Sequence, residues 1–441
     1  MDDREIGGLY TSAVKKWFAA LYETVWRRNL MRSGMVTVLL LVGVLAGLTL
    51  AFRAHMLGNF HKLKLKANIE TVEHQDAPVP RPGGQDAIVL ARSRQMGDSV
   101  AEFLSATLLP GRGMNVLQIT AYIPGNGEVN LLASPPIDGA AAAMTGHGAD
   151  AEGQASMAMG GAFEVPWAGT MWGVPAQEGS KTEVVWQGHP MTLPGGGSGA
   201  AKASNGLMLM GSADPSSSET LPDGGNAQAV FHAGDYGGKW PSRTDVTISA
   251  LLSSRSIELT VVATNVGDVA EPVGIGWHPR FVILGGDRTQ LKLHIPAQMR
   301  VEVRDRQTGQ PTGSLTPVAG TPYDFSIAGG VKLGKINVDD AFVSLKQNLL
   351  DNGPAAELVD PVSGFGIRMT ALSPTIKAMR VVAPASGEYV SIAADYNYPD
   401  PFGREWAKAP DTGMVVLQPG QSTEWKVRLE LISPEHHRPA L

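Results

Sequence analysis

Cysteine is absent from the whole 441-residue chain. Disulfides, thiolate metal sites and a cysteine nucleophile are therefore excluded, and cysteine usage leaves the compartment open. Charged residues make up only 18% and aromatics 6%, against 52 Gly and 30 Pro, a balance that favours turn-rich β structure over helical bundles. A net charge of −6 supplies no basic field, and with no arginine-rich or zinc-ligand signature the sequence points to no nucleic-acid partner. It also lacks a Gly-rich phosphate loop, a His-Glu-x-x-His helix and a nucleophile elbow; the Gly runs at 195–199 and 224–225 have no helical pattern after them. What remains is 43% hydrophobic content in a chain long enough for a sizeable core.

One long hydrophobic run stands out. Between Arg32 and Arg53 lie twenty uncharged residues, SGMVTVLLLVGVLAGLTLAF, enough to cross a hydrocarbon layer of about 30 Å as a helix. The run begins too far into the chain for a signal peptide, and Ala51-Phe52-Arg53-Ala54 is a poor cleavage site. Residues 33–52 are thus expected to form a transmembrane helix. Arg27, Arg28 and Arg32 crowd its N-terminal edge, which favours a cytoplasmic N-terminus and a C-terminal domain outside the cytoplasm, in a periplasm or its equivalent. Within residues 1–32, Val14, Trp17, Phe18, Leu21, Tyr22 and Val25 recur at helical spacing opposite Lys15, Lys16 and Glu23, an amphipathic helix for the membrane interface or for docking on a partner. Residues 53–85 end in PVPRPGG and read as a stalk, and residues 86–441 as the folded domain. Residues 10–52 are where a membrane-protein partner would attach.

From Asp86 to about Ser433 the apolar runs are short, rich in β-branched residues and punctuated by Gly, Pro, Asn and Asp. Clear strand candidates include residues 114–123, 245–252, 256–265, 378–383, 389–394 and 424–432. In the second of these, Thr247, Ser249 and Leu251 alternate with Ile248, Ala250 and Leu252, so one face can be buried and the other wet. Strand and helix do not alternate, which excludes a parallel α/β sheet, and the expected class is all-β and antiparallel. Three segments, Ala140 to Gly161, Pro194 to Gly206 and Ser212 to Asn226, read as long, mobile surface loops.

Four landmarks in order resemble the aldose 1-epimerase (galactose mutarotase) family: GWHPRF (Gly276 to Phe281), GTPYDF (Gly320 to Phe325), VDDAFV (Val338 to Val343) and ELVDPVSGFGIRM (Glu357 to Met369). The resemblance covers roughly three-quarters of the chain. It implies a galactose mutarotase-like antiparallel β-supersandwich that binds a pyranose in a groove on one sheet and interconverts its anomers without a cofactor or a metal. An acid and a base on opposite sides of the ring would open the sugar. By the resemblance His278 takes the place of the family's general-acid histidine, and Asp339 that of its sugar-binding aspartate. Trp277 and Tyr396 would offer aromatic faces to a sugar, with core or edge packing the competing reading for each. Tyr398 and Trp406 are open to the same two readings.

Elsewhere the sequence departs from the family's pattern. Members carry Glu-x-Gln-x-x-Pro-Asp near the C-terminus; here, in AADYNYPDPF, aligning Pro399-Asp400 puts Ala394 where the base belongs. Asp395 is the next acid, but neighbours on a strand point to opposite faces, so it would serve as base only if a bulge re-aimed it. Thr170, in AGTMWG, stands where the family has a sugar-contacting arginine, and the second family histidine has no counterpart; His147 and His189 have the wrong neighbours. Asp339 with Asp340 is weak as a glycosidase pair, because adjacent strand side chains diverge.

Two functions follow. One is a membrane-anchored, carbohydrate-binding isomerase of the mutarotase kind, acting on a sugar or glycan and impaired by its missing base. The other is a non-catalytic pseudoenzyme, an accessory subunit of a membrane or envelope complex that uses the fold as an interaction module. Whether the chain is an enzyme stays open at this level.

Overall fold

The alternation in the sequence is realised in a computed structural model that describes residues 81–176, 181–195, 201–347, 351–408 and 411–433. The chain divides into two units, residues 1–69 and 70–441, and everything described lies in the second. The amphipathic segment, the expected membrane span at 33–52 and most of the 53–85 stalk lie outside the described residues. Among the described residues, no helix is long and apolar enough to cross a membrane.

Ser256–Asn265 buries every second side chain, and its neighbour Thr244–Leu252 turns Ile248, Ala250 and Leu252 inward while Thr247, Ser249 and Leu251 face outward. Only a pleated strand puts alternate residues on one face, which is why the period-two pattern folds this way. These two strands lie within a nine-stranded sheet ordered Ser216–Leu221, Gly224–Gly234, Thr244–Leu252, Ser256–Asn265, Ser422–Ile432, Phe365–Ala371, Ala355–Asp360, Lys292–His294 and Val331–Lys332. A six-stranded sheet runs Phe281–Val282, Tyr389–Asp395, Ala378–Ala383, Val338–Leu345, Ala297–Val303 and Pro311–Pro317. Another six-stranded sheet carries Ile88–Ala91, Glu102–Leu109, Asn115–Ile123, Gly161–Glu164 and Gly276–Pro279 in that order, with Gly127–Asn130 on Asn115–Ile123. Every ladder between the described strands is antiparallel. One continuous apolar core, in which Phe163, Trp167, Phe231, Trp277 and Trp425 are fully buried, draws on all three sheets.

Two of the expected loops are ordered instead. Ser212 to Asn226 contains the edge strand Ser216–Leu221 and the start of Gly224–Gly234, missed because its serines carry no apolar period. Ala140 to Gly161 contains the end of the helix Ile137–Ala143 and a helical turn at Ala155–Ala158. It is pinned by a buried ion pair between Asp150 and Arg112, with Asp150 also accepting from the amides of Gly146 at 2.8 Å and Ala155 at 2.9 Å. In Pro194 to Gly206, Lys202–Ser204 pairs with Thr170–Trp172, and residues 196–200 lie outside the described set.

Candidate active site

Gly276–Pro279 pairs with Gly161–Glu164 so that Gly276 faces Glu164, Trp277 faces Phe163 and His278 faces Ala162. Alternation sends Trp277 and His278 to opposite sides. Trp277 goes into the core, fully buried, its indole donating to the Gly161 carbonyl at 3.0 Å and its ring 6.3 Å from Phe163. His278 stays partly exposed. Its pKa is held down at about 3, first by burial, then by the guanidiniums of Arg380 and Arg280, with Asp339 pulling weakly the other way. The imidazole is therefore neutral at pH 7, not a standing acid.

The Tyr389–Asp395 strand runs beside Ala378–Ala383 in unbroken register, Asp395 opposite Ala378 and Ala393 opposite Arg380. Asp395 thus shares a face with Arg380 without any bulge. Ala394 points the other way into the core, its carbonyl accepting from the Trp425 indole at 2.8 Å. The acid on the Arg380 face is consequently Asp395, and the position aligned with the family glutamate faces the interior.

Beyond Asp395 the chain crosses to the neighbouring sheet, where the Tyr396 amide donates to the Ile275 carbonyl at 2.9 Å. This crossing lays Asp395 against Gly276: a Cβ on that glycine would stand 2.3 Å from Asp395 Oδ1. Glu164 lies opposite Gly276 and takes a hydrogen bond from the Gly169 amide at 3.0 Å through Oε2. Its Oε1 and Asp395 Oδ1 are buried without hydrogen-bond partners. Burial raises the Glu164 pKa to about 7 although Arg380 opposes it; Asp395 is lifted well above the usual carboxylate range by burial and then by Glu164. Two carboxyls placed beside the same glycine, electrostatically linked and this far from water, hold at least one proton at neutral pH.

Arg380 joins the buried acids to the surface. Its guanidinium donates to Asp339 at 3.0 Å, and Nη1 lies 3.5 Å from where a Cβ on Gly169 would be. Burial works against its charge, but Asp339, Glu164 and Asp395 together hold its pKa above the ordinary value. Asp339 is exposed, whereas its neighbour Asp340 is buried between Arg300 and Arg306, so the two do not form a pair. Arg280 lies over the Tyr389 ring at 3.6 Å.

The structure therefore gathers His278, Asp339 and Asp395 and leaves Trp277 and Tyr396 out. Tyr396 is fully buried with its hydroxyl 3.2 Å from Thr423, so neither ring presents a face to a ligand. Trp406 is buried and Tyr398 packs against it, the ring centres 5.6 Å apart. Sequence reasoning missed Glu164, Arg280 and Arg380. A charge in the third place of the apolar strand AMRVVA was the available signal for Arg380. A separate cleft of about 390 Å³, lined by Ser344, Asn352, Ser373, Lys377 and Tyr398 among others, includes none of the acids or cations around His278. Among the described residues no cluster of His, Asp or Glu is arranged to hold a metal ion.

Residues 172–430 match the family model for aldose 1-epimerase. The chain belongs to the aldose 1-epimerase family. Similar solved structures include a galactose mutarotase-like protein from Clostridium acetobutylicum, 14% identical with a TM-score of 0.59, covering 77% of this chain and 98% of that one. A galactose 1-epimerase from Lactobacillus acidophilus NCFM is 16% identical with a TM-score of 0.54, covering 79% and 99%. An aldose epimerase homologue from C. elegans is 14% identical, also at 0.54, covering 76% and 99%. At these identities the likeness is one of fold. A search of curated proteins finds no match. The family also accounts for the order of the four sequence landmarks: those from Gly276 and Val338 begin strands, and that from Glu357 runs from within the Ala355–Asp360 strand through a turn into Phe365–Ala371.

Proposed function

We propose that this aldose 1-epimerase family member binds a pyranose against the face formed by His278, Arg380 and Asp339 and interconverts its anomers by acid-base ring opening. The observation that carries this reading is the Glu164–Asp395 carboxyl pair beside Gly276, on the same side as Arg380. With one proton shared between two carboxyls, the pair has a carboxylate to receive the C1 hydroxyl proton and a carboxyl to supply one to the ring oxygen, directly or through one water. The C1 to ring-oxygen bond breaks, the open aldehyde rotates, and closure on its other face gives the other anomer with the pair restored. Neutral His278 acts as a hydrogen-bond donor to the ring oxygen, not as an imidazolium. A raised-pKa carboxylate is a stronger base than an ordinary one, which offsets the absence of a glutamate at 394.

The test is two-dimensional exchange NMR of glucose and galactose with the full chain. Anomer exchange should exceed the uncatalysed rate and fall by about 10²-fold or more in H278A and D395N, while the exposed edge-strand variant E219Q stays at wild type. Exchange at the uncatalysed rate in the wild-type chain would sink the proposal.

We also propose that residues 33–52 anchor the chain in a membrane with the sandwich outside the cytoplasm, supported by the length and apolarity of the run and the arginines before it. Alkaline extraction should leave the full chain with the membrane fraction and release a chain lacking residues 1–52. Release of both would refute the anchor.

A further inference from the structure

The family's sugar-contacting arginine has no counterpart at Thr170, whose hydroxyl is instead engaged with Ser204 at 3.1 Å. A guanidinium nevertheless reaches the same turn from another direction. Arg380, on Ala378–Ala383, brings Nη1 to within 3.5 Å of the position a Cβ would take on Gly169, the residue before Thr170. Gly169 has φ of +71°, a conformation that glycine adopts without strain, and its amide is the donor to Glu164 Oε2. Turn, acid and guanidinium are thus assembled around one residue.

Three features separate Arg380 from an ordinary strand arginine. It retains solvent access, with about a quarter of its side chain exposed, and its visible partner Asp339 is itself more than half exposed. An ion pair so open to water contributes little to stability, so it gives a weak structural reason for the arginine. Beneath it, Glu164 Oε1 and Asp395 Oδ1 are buried and unpartnered, an arrangement whose cost is reduced only by a nearby cation. Asp339, Glu164 and Asp395 together also compensate its charge, so it meets a ligand as a directed set of N–H donors suited to sugar hydroxyls.

We infer that Arg380 is the ligand-contacting guanidinium of this site, delivered from the Ala378–Ala383 strand in place of the 168–173 turn, and that buried Glu164 and Asp395 hold it in position. The inference rests on the sugar-binding reading above. It assigns Arg380 to specificity through hydroxyl contact and gives Glu164, already one of the proton-exchanging pair, a second role in holding the guanidinium in place.

The experiment is an NMR titration of the full chain, labelled with ¹⁵N-arginine, with D-galactose and D-glucose. Addition of sugar should shift an arginine side-chain resonance that is missing in R380K. R380K keeps the charge above the buried acids but loses the planar fork, and should bind at least 10-fold more weakly with unchanged circular dichroism. The wild-type affinity should vary with pH between 6 and 8, and E164Q should weaken binding about 3-fold and flatten that profile. Wild-type affinity in R380K, or sugar saturation with no shift in the Arg380 resonance, overturns the inference while leaving the sugar-binding reading intact. A wild-type chain that binds neither sugar overturns both.

Discussion

Gly276 stands against Asp395 so closely that a Cβ there would lie 2.3 Å from the carboxylate Oδ1 and 2.8 Å from the Ala168 methyl. Its φ is not in the left-handed region, so the constraint is space and not backbone conformation. The missing side chain is what lets the end of the Tyr389–Asp395 strand lie over Gly276–Pro279 and bring an acid to Glu164.

Replacing Gly276 with Ala should therefore displace Asp395 and cost about 1–3 kcal/mol by overpacking. Urea denaturation reads the stability loss, and anomer exchange should fall with it. Unchanged stability and exchange would show that the carboxylate has room to move.

Restoring glutamate at position 394 should not restore a base. Ala394 is fully buried on the core face, so Ala394→Glu drives a carboxyl into packed side chains without a partner. The expected outcome is a loss exceeding about 4 kcal/mol or failure to accumulate as folded protein. A folded A394E chain with faster anomer exchange would contradict the facing reported above.

The buried pair of Arg112 and Asp150 predicts a third result. Asp150→Ala leaves a fully buried guanidinium with no carboxylate and frees the amides of Gly146 and Ala155, a loss of about 3–5 kcal/mol. Hydrogen exchange should show the 137–160 segment opening first. Protection equal to wild type would mean that the apolar contacts of Met144 and Met159 suffice to hold it.

Stability should fall as pH rises through neutrality. Burial raises Glu271 to about 7, with Thr244 donating to its Oε2 at 2.8 Å; Glu164 stands at about 7 and Asp400 at about 8. Each binds its proton more tightly folded than unfolded, so each stabilises the fold at low pH and loses that contribution between the unfolded value, near 4, and the folded one. His278, lowered to about 3, works oppositely, its contribution growing with pH only up to about 6.5. Above pH 6.5 the raised carboxyls, Asp395 among them, act alone and the slope is negative through pH 8. Glu271→Gln removes one of them, and should gain on the order of 1–3 kcal/mol relative to wild type between pH 5 and 8. A denaturation series over that range checks it; parallel curves would rule out Glu271 as a contributor.

The β grammar of the sequence carried much of the architecture. Ser256–Asn265 and Thr244–Leu252 were visible because a half-buried strand requires an apolar residue at every second place. Ser216–Leu221 was not visible, because an edge strand exposed on both faces imposes no such requirement. The family motif marked His278 and Asp339 as candidates, and both lie beside Arg380; for Trp277 and Tyr396 the structure shows the packed reading, since aromaticity alone does not say which face a ring occupies.

By itself the sequence determined the antiparallel class and the family and marked His278 as a candidate, because side-chain period and local motifs are properties of neighbouring residues. Only the tertiary structure decided that Asp395 and not residue 394 faces Arg380, that Glu164 lies beside it across Gly276, and that burial and two guanidiniums keep His278 neutral. Those outcomes depend on how separate sheets pack and how much water they exclude, and Glu164 and Asp395 lie more than two hundred positions apart in the chain.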